Sequence, residues 1–320
     1  MSTHQLLTSG YGRQVRLLVQ VLPVIFEESC FALKGGTALN LFVRDLPRLS
    51  VDIDLVYLPH DGRDSALSKI VEALDRVADA LCRRFSGMET QKAYQQTPDA
   101  LRLLVRSGDA RIKIELSPVL RGTVEKPRWL EICPTAQEQF GYAEVPVVSL
   151  PDLYGGKICA ALDRQHPRDL FDVMLLLEAE GVSDGIRQAV WIYMLSHPRP
   201  FEELLWPREK DITNIFRNEF EGMTLREVSL ADLLAARSRL LEILRRGMTQ
   251  TEAGMILGFL KGEPGWNTSG FEMIEDLPAL LWKTRNLDRM DTGKRIRSIQ
   301  KLEELLAGLV GGSARSSPHR

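Results

Sequence analysis

Apolar residues recur at helical spacing from residue 12 to 29, with Pro23 as a kink or break inside the run. Phe31-Ala32-Leu33 follows as a short apolar segment and leads into Lys34 and the turn Gly35-Gly36-Thr37. From Ala38 to Arg44 the spacing predicts a helix opening at Thr37 as its N-cap. Asp52 to Leu58 alternates as a strand and stops at Pro59, and residues 62 to 85 form a long amphipathic helix. Leu101–Val105 and Ile112–Leu116 flank Ser107-Gly108-Asp109, a hairpin signal. In its second strand Arg111, Lys113 and Glu115 share one face, and Ile112, Ile114 and Leu116 the other.

Val145 to Leu150 is a further apolar run, after which Pro151-Asp152-Leu153 opens a helix carrying Lys157. Pro167 opens another over Arg168–Ala179, closed by Gly181. Beyond it the pattern is helical to about residue 310, interrupted by Pro198, Pro200, Pro207 and a loop from Gly262 to Gly270. No internal repeat is visible. The expected fold class is α+β: an α/β part over residues 1–165, a helical part over 166–310, and a disordered tail over 311–320.

The chain has 320 residues, 44% hydrophobic and 26% charged, enough for two ordinary domains with a substantial core. The net charge of −2 excludes a polycation, so any nucleic-acid contact must come from a local patch. Such a patch is offered between Trp282 and Lys301, where seven basic residues stand against Asp288 and Asp291, although a solvated helix face gives the same pattern. Cys30, Cys82, Cys133 and Cys159 lie in apolar surroundings without a CxxC pair, and read as buried reduced thiols. The five histidines show no metal-ligand spacing. There is no signal-peptide pattern and no apolar run near the ~18 residues that span a bilayer, so the expectation is a cytoplasmic protein with no membrane partner.

The chemistry concentrates in residues 35 to 54, GGTALNLFVRDLPRLSVDID. A turn without side chains brings backbone N–H groups against phosphate oxygens, which Gly35 and Gly36 supply. Thr37 can donate to a phosphate or cap a helix. Asp52 and Asp54 at i and i+2 of a strand point to one face, where two carboxylates share a hard divalent cation. Ser50 shares that face and either meets a phosphate or the metal shell, or satisfies a strand end. Glu115 is the candidate third acid, as general base or metal ligand, against the alternative of a cross-strand ion pair. Lys157, behind two glycines, can grip a triphosphate as a point charge with Asp172 orienting it, or both can form a helix–helix salt bridge.

These motifs, GGTALNLF, RLSVDIDL, IKIELS and GGKICAALDRQHPRDLFD, resemble the AbiEii/AbiGii family of nucleotidyltransferase toxins over roughly residues 30 to 180. The resemblance implies a DNA polymerase β-type nucleotidyltransferase core with a helical C-terminal domain. It places the phosphate turn on Gly35, Gly36 and Thr37, the metal acids on Asp52 and Asp54, the essential lysine on Lys157 and the late aspartate on Asp172. Ser50 matches a hydroxyl position that is a regulatory phosphorylation site in some relatives, and Glu115 falls where the third acid varies. It also implies Mg²⁺ or Mn²⁺, an NTP substrate, an RNA acceptor such as the tRNA 3′ end, inhibition of translation, and a helix-turn-helix antitoxin. A small-molecule nucleotidyltransferase of the aminoglycoside kind shares such a core. A haloacid-dehalogenase-type phosphatase fits DIDLV but needs a buried apolar strand ahead of Asp52, where RDLPRLS is polar. A catalytically dead binding module leaves the set of acids unexplained.

Overall fold

The computed structural model describes residues 10–96, 100–263 and 274–313, of which 311–313 by backbone alone. Two compact units emerge. One comprises the chain to Leu153 together with Arg217–Val228, and the other Tyr154–Phe216 with the chain from Ser229. The return of Arg217–Val228 to the first unit has no counterpart in the sequence reading.

The first unit is built on a seven-stranded mixed sheet. Its strands are β1 (Phe31–Lys34), β2 (Asp52–Tyr57), β3 (Met88–Lys92), β4 (Arg102–Ser107), β5 (Ala110–Leu116), β6 (Arg128–Glu131) and β7 (Glu144–Val147), in the order β3-β4-β5-β2-β1-β7-β6. β2 pairs parallel with β5 and antiparallel with β1. Helices α1 (Gly10–Ile25), α2 (Gly35–Ala38), α3 (Arg63–Arg84) and α4 (Pro134–Phe140) complete it, with α5 (Leu150–Arg164) beginning there. Fully buried Leu18, Leu22, Phe31, Leu33, Ile53, Leu55, Leu74 and Ile114 form its core. Pro23 lies inside α1 without ending it, since a proline near a helix end sacrifices little of the ladder. The hairpin forms as the turn predicts, with Arg102 opposite Glu115 and Ser107 opposite Ala110.

Where a helix opening on Thr37 is expected, the chain does something else. Its cap residue is Lys34, and α2 runs into a π-helical turn over Leu39–Val43. Thr37 sits inside α2, with its hydroxyl donating away from the helix N-terminus. Of the cysteines only Cys159 is buried; Cys30 and Cys133 are half-buried and Cys82 is exposed, and all four are free thiols.

The second unit is helical: most of α5, then α6 (Pro167–Glu178), α7 (Asp184–Ser196), α8 (Phe201–Leu205), α9 (Thr213–Glu219, shared with the first unit), α10 (Leu230–Arg246), α11 (Gln250–Lys261), α12 (Pro278–Asp288) and α13 (Thr292–Ser313). Ser229 and Thr249 open α10 and α11 as reciprocal capping boxes with Asp232 and Glu252. α13 runs through Ser313, three residues into the segment expected as a tail; residues 314–320 and most of the loop from Gly262 to Gly270 lie outside the described residues. Among the described residues no helix is long and apolar enough to cross a membrane.

Candidate functional site

Strand register draws the first-unit residues together. Asp54 lies opposite Lys34 of β1 on one side and Glu115 of β5 on the other, and Glu115 lies opposite Arg102 of β4. Cross-strand partners share a face, so Lys34, Asp54, Glu115 and Arg102 form a charged row across four strands. Asp52 stands one pleat along, opposite Lys113.

The diglycine turn closes over the end of this row. Gly35 holds φ +75°, and a Cβ there would stand 2.3 Å from Asp54 Oδ2. Glycine is therefore required twice at this position, once for its backbone and once for the space the carboxylate fills. A Cβ on Gly36 would stand 2.9 Å from Ser50 Oγ and 3.0 Å from Arg48 Nη2. Thr37 donates to the Asp52 carbonyl at 2.5 Å and meets the Ser50 hydroxyl at 3.1 Å. Asn40, buried in the π-helical turn, donates to the Gly36 carbonyl at 2.8 Å. The turn is thus held from both sides, with Ser50 and Arg48 against it.

Arg48 is a group the sequence reading missed. It is buried, its Nη1 donates to the Leu49 carbonyl at 3.0 Å, and its backbone bridges Thr224 while Leu225 N donates to the Pro47 carbonyl at 3.0 Å. A buried arginine is rare unless it is paired, and in a sequence Pro47-Arg48 reads only as a polar turn. The segment 44–51 leading directly into Asp52 forms no strand, whereas a haloacid-dehalogenase site needs a buried one there.

Glu115 is committed to cations. Arg102 Nη2 meets its Oε1 at 2.5 Å and Lys113 Nζ its Oε2 at 2.8 Å. Burial pushes its carboxyl up, but the bonds from Lys113 and Arg102 outweigh this and hold it below the usual glutamate range. Its contact with Arg102 on the neighbouring strand matches the cross-strand ion pair, one of the two readings open for Glu115. Among the described residues no three His, Cys, Asp or Glu are placed to hold a metal ion unaided. Asp52 and Asp54 remain a fitting pair for a hard cation, since Mg²⁺ is commonly held by one or two carboxylates plus the substrate's phosphates.

In the second unit Lys157 lies among acids. Its Nζ stands 3.0 Å from Asp169 Oδ1 and 3.0 Å from Asp172 Oδ2, with the three side chains 8%, 5% and 2% exposed. Arg164 meets the other oxygen of Asp169 at 2.8 Å. Burial raises the Asp169 carboxyl, yet Lys157 and Arg164 together hold it below the ordinary aspartate range. The sequence reading paired Lys157 with Asp172 and gave Asp169 no part; three residues before Asp172, it belongs on the same face of α6. Gly155 has a packing reason, because a Cβ there would stand 2.8 Å from Tyr193 Cδ2 on α7.

The basic segment between Trp282 and Lys301 divides. Lys283 turns inward and donates to the His197 carbonyl at 2.6 Å, and Arg295 donates twice to the Leu260 carbonyl at the end of α11. Arg285, Arg289, Lys294, Arg297 and Lys301 stay exposed.

A sequence model of the family described as "Nucleotidyl transferase AbiEii toxin, Type IV TA system" matches residues 16–261. Among solved structures the chain is similar to MenT4, a nucleotidyltransferase toxin from Mycobacterium tuberculosis H37Rv, with TM-score 0.55 and 16% identity over 94% of each chain. That likeness is one of fold. No curated protein matches the sequence.

Proposed function

Since the chain belongs to the AbiEii family of nucleotidyltransferase toxins of type IV toxin–antitoxin systems, we propose that it transfers a nucleoside monophosphate from an NTP to the 3′ end of a tRNA and thereby stops translation. In this reading the acceptor's hydroxyl oxygen bonds to the α-phosphorus, the bond from that phosphorus to the bridging oxygen breaks, pyrophosphate leaves, and the hydroxyl proton passes to solvent. The reading gives Gly35, Gly36 and Thr37 the phosphates, with Ser50 and Arg48 behind them. Asp52 and Asp54 are the carboxylates for Mg²⁺ or Mn²⁺, which when bound neutralises phosphate charge and eases loss of the hydroxyl proton. Glu115 braces the row through Arg102 and Lys113. Lys157 grips the triphosphate, and Asp169 and Asp172 hold its ammonium in place. The reading places the protein in the cytoplasm beside an antitoxin of the helix-turn-helix kind.

The observation that supports it most directly is the fit of the Asp54 carboxylate into the space that Gly35 leaves empty. A turn that leaves no room for a side chain lets backbone N–H groups approach a phosphate next to the two aspartates. The test is incubation with each α-labelled NTP and total RNA, with and without a chelator, followed by a denaturing gel and sequencing of the labelled band. Label on a tRNA-sized band that disappears with the chelator is expected. Label confined to a small molecule or to protein would overturn the acceptor.

A further inference from the structure

In the second unit the exposed basic residues are not scattered. Lys294, Arg297 and Lys301 lie three and four apart on α13, so they fall on one face, and all three are exposed. Past Lys301 the helix turns acidic at Glu303 and Glu304, which bounds the stripe. Lys301 then lines a groove of about 550 Å³ together with Trp206, Arg208 and Arg199. That volume lies within the range of small-ligand sites and admits one nucleotide unit.

The groove is constructed rather than incidental. Trp206 is half-exposed, and the Arg245 guanidinium lies 5.5 Å from its ring centroid. Arg245 is fixed by two bonds to the Leu205 carbonyl, at 3.1 and 2.9 Å. Buried Gln165 ties the Arg208 carbonyl at 2.7 Å and the Lys210 N–H at 3.0 Å, so the loop presenting Arg208 is anchored at both places. Two acids also line the groove. Glu203 is occupied by Arg199 at 3.0 Å, and Glu202 is buried near Ser298.

The geometry points to this groove and the α13 stripe as the docking surface for a single-stranded stretch of the acceptor RNA, its backbone along Lys294, Arg297 and Lys301 and one base stacked on Trp206. A row of cations leading to an aromatic face matches how single-stranded nucleic acid is held: phosphates along the charges, a base on the ring. The inference rests on the RNA acceptor proposed above.

The test uses the full chain and a fluorescently labelled deacylated tRNA, with binding measured across a salt series and melting curves alongside. Trp206→Ala is expected to weaken binding about ten-fold, and Trp206→Phe to restore most of it. Lys294→Ala/Arg297→Ala/Lys301→Ala is expected to lower the slope of log affinity against log salt by about two. Melting temperatures should stay near the parent's. If the parent labels and binds tRNA while these variants bind it with unchanged affinity and slope, the docking surface is wrong and the proposed function stands. If the parent neither binds nor labels RNA, the acceptor fails and the surface with it. Unchanged tRNA binding with loss of an antitoxin-type protein partner would make this a protein interface and overturn the inference.

Discussion

Lys157→Ala separates two roles that the buried ion-pair cluster combines. The substitution takes away the ammonium that meets Asp169 and Asp172 at 3.0 Å each and leaves carboxylates that are 5% and 2% exposed. Arg164 still meets Asp169, but it is 61% exposed and weakened by solvent. Breaking a buried pair by deleting one partner costs about 3–5 kcal/mol. For a unit of this size each kcal/mol moves the melting point by roughly 2–4 °C, so a fall of roughly 6–20 °C is expected. Lys157→Met with Asp172→Asn removes a charge of each sign. It should recover part of that loss, since coupling between such neighbours runs to about 1–3 kcal/mol. Calorimetry and single-turnover labelling, both well below the variants' melting points, read the two roles separately. The double variant should regain melting temperature without regaining transfer. An alanine variant melting within about 2 °C of the parent would refute the buried-charge argument, and a double variant that transfers nucleotide would remove Lys157 from the chemistry.

Three further outcomes follow from the site. Gly35→Ala places a Cβ 2.3 Å from Asp54 Oδ2 on a left-handed backbone, so transfer should fall at least ten-fold, with about 1–2 kcal/mol lost in a denaturant melt. A variant as active as the parent would show that Asp54 need not occupy that space. Asp52→Asn and Asp54→Asn keep the shape and remove the charge. Transfer should be abolished and stabilisation by Mn²⁺ in a thermal shift lost, and retained transfer in either would strike the pair from the mechanism. Asp169 is held below its ordinary range, so its contribution to stability is complete above the unfolded value near ~3.9 and is lost as pH falls through the folded one. Melting temperature should therefore fall steeply below about pH 4, and the acid limb should be shallower in Lys157→Ala.

The nearness of the diglycine turn to the two aspartates was legible because two adjacent glycines and a DxD on a strand restrict what can surround them. The hairpin was legible because Gly108 and Asp109 fit a tight turn between alternating runs. Strand β3 was not, since METQK carries only one β-branched residue and pairs through its neighbours; β6, RWLE, sits at the sheet edge where burial is too slight to impose alternation. Thr37 looks like a cap by composition alone. Its hydroxyl is claimed instead by the Asp52 carbonyl, 15 positions away, a contact that no local pattern contains. Arg48 and Asp169 were hidden for the same reason, because ordinary surface residue types acquire meaning only from burial beside a distant partner.

The bridge between Arg48 and Thr224 bears on how the protein is made. The strands, the diglycine turn and both aspartates leave the ribosome early, but Arg217–Val228, which belongs to the same unit, emerges only after the whole of 154–216. At ~5–20 residues per second that interval is about 3–12 seconds. During it Arg48 has no Thr224 to bridge. A nascent chain therefore carries the diglycine turn and both aspartates before it carries the segment that completes the unit. The discontinuity also means that a fragment ending at Leu153 omits part of the first unit.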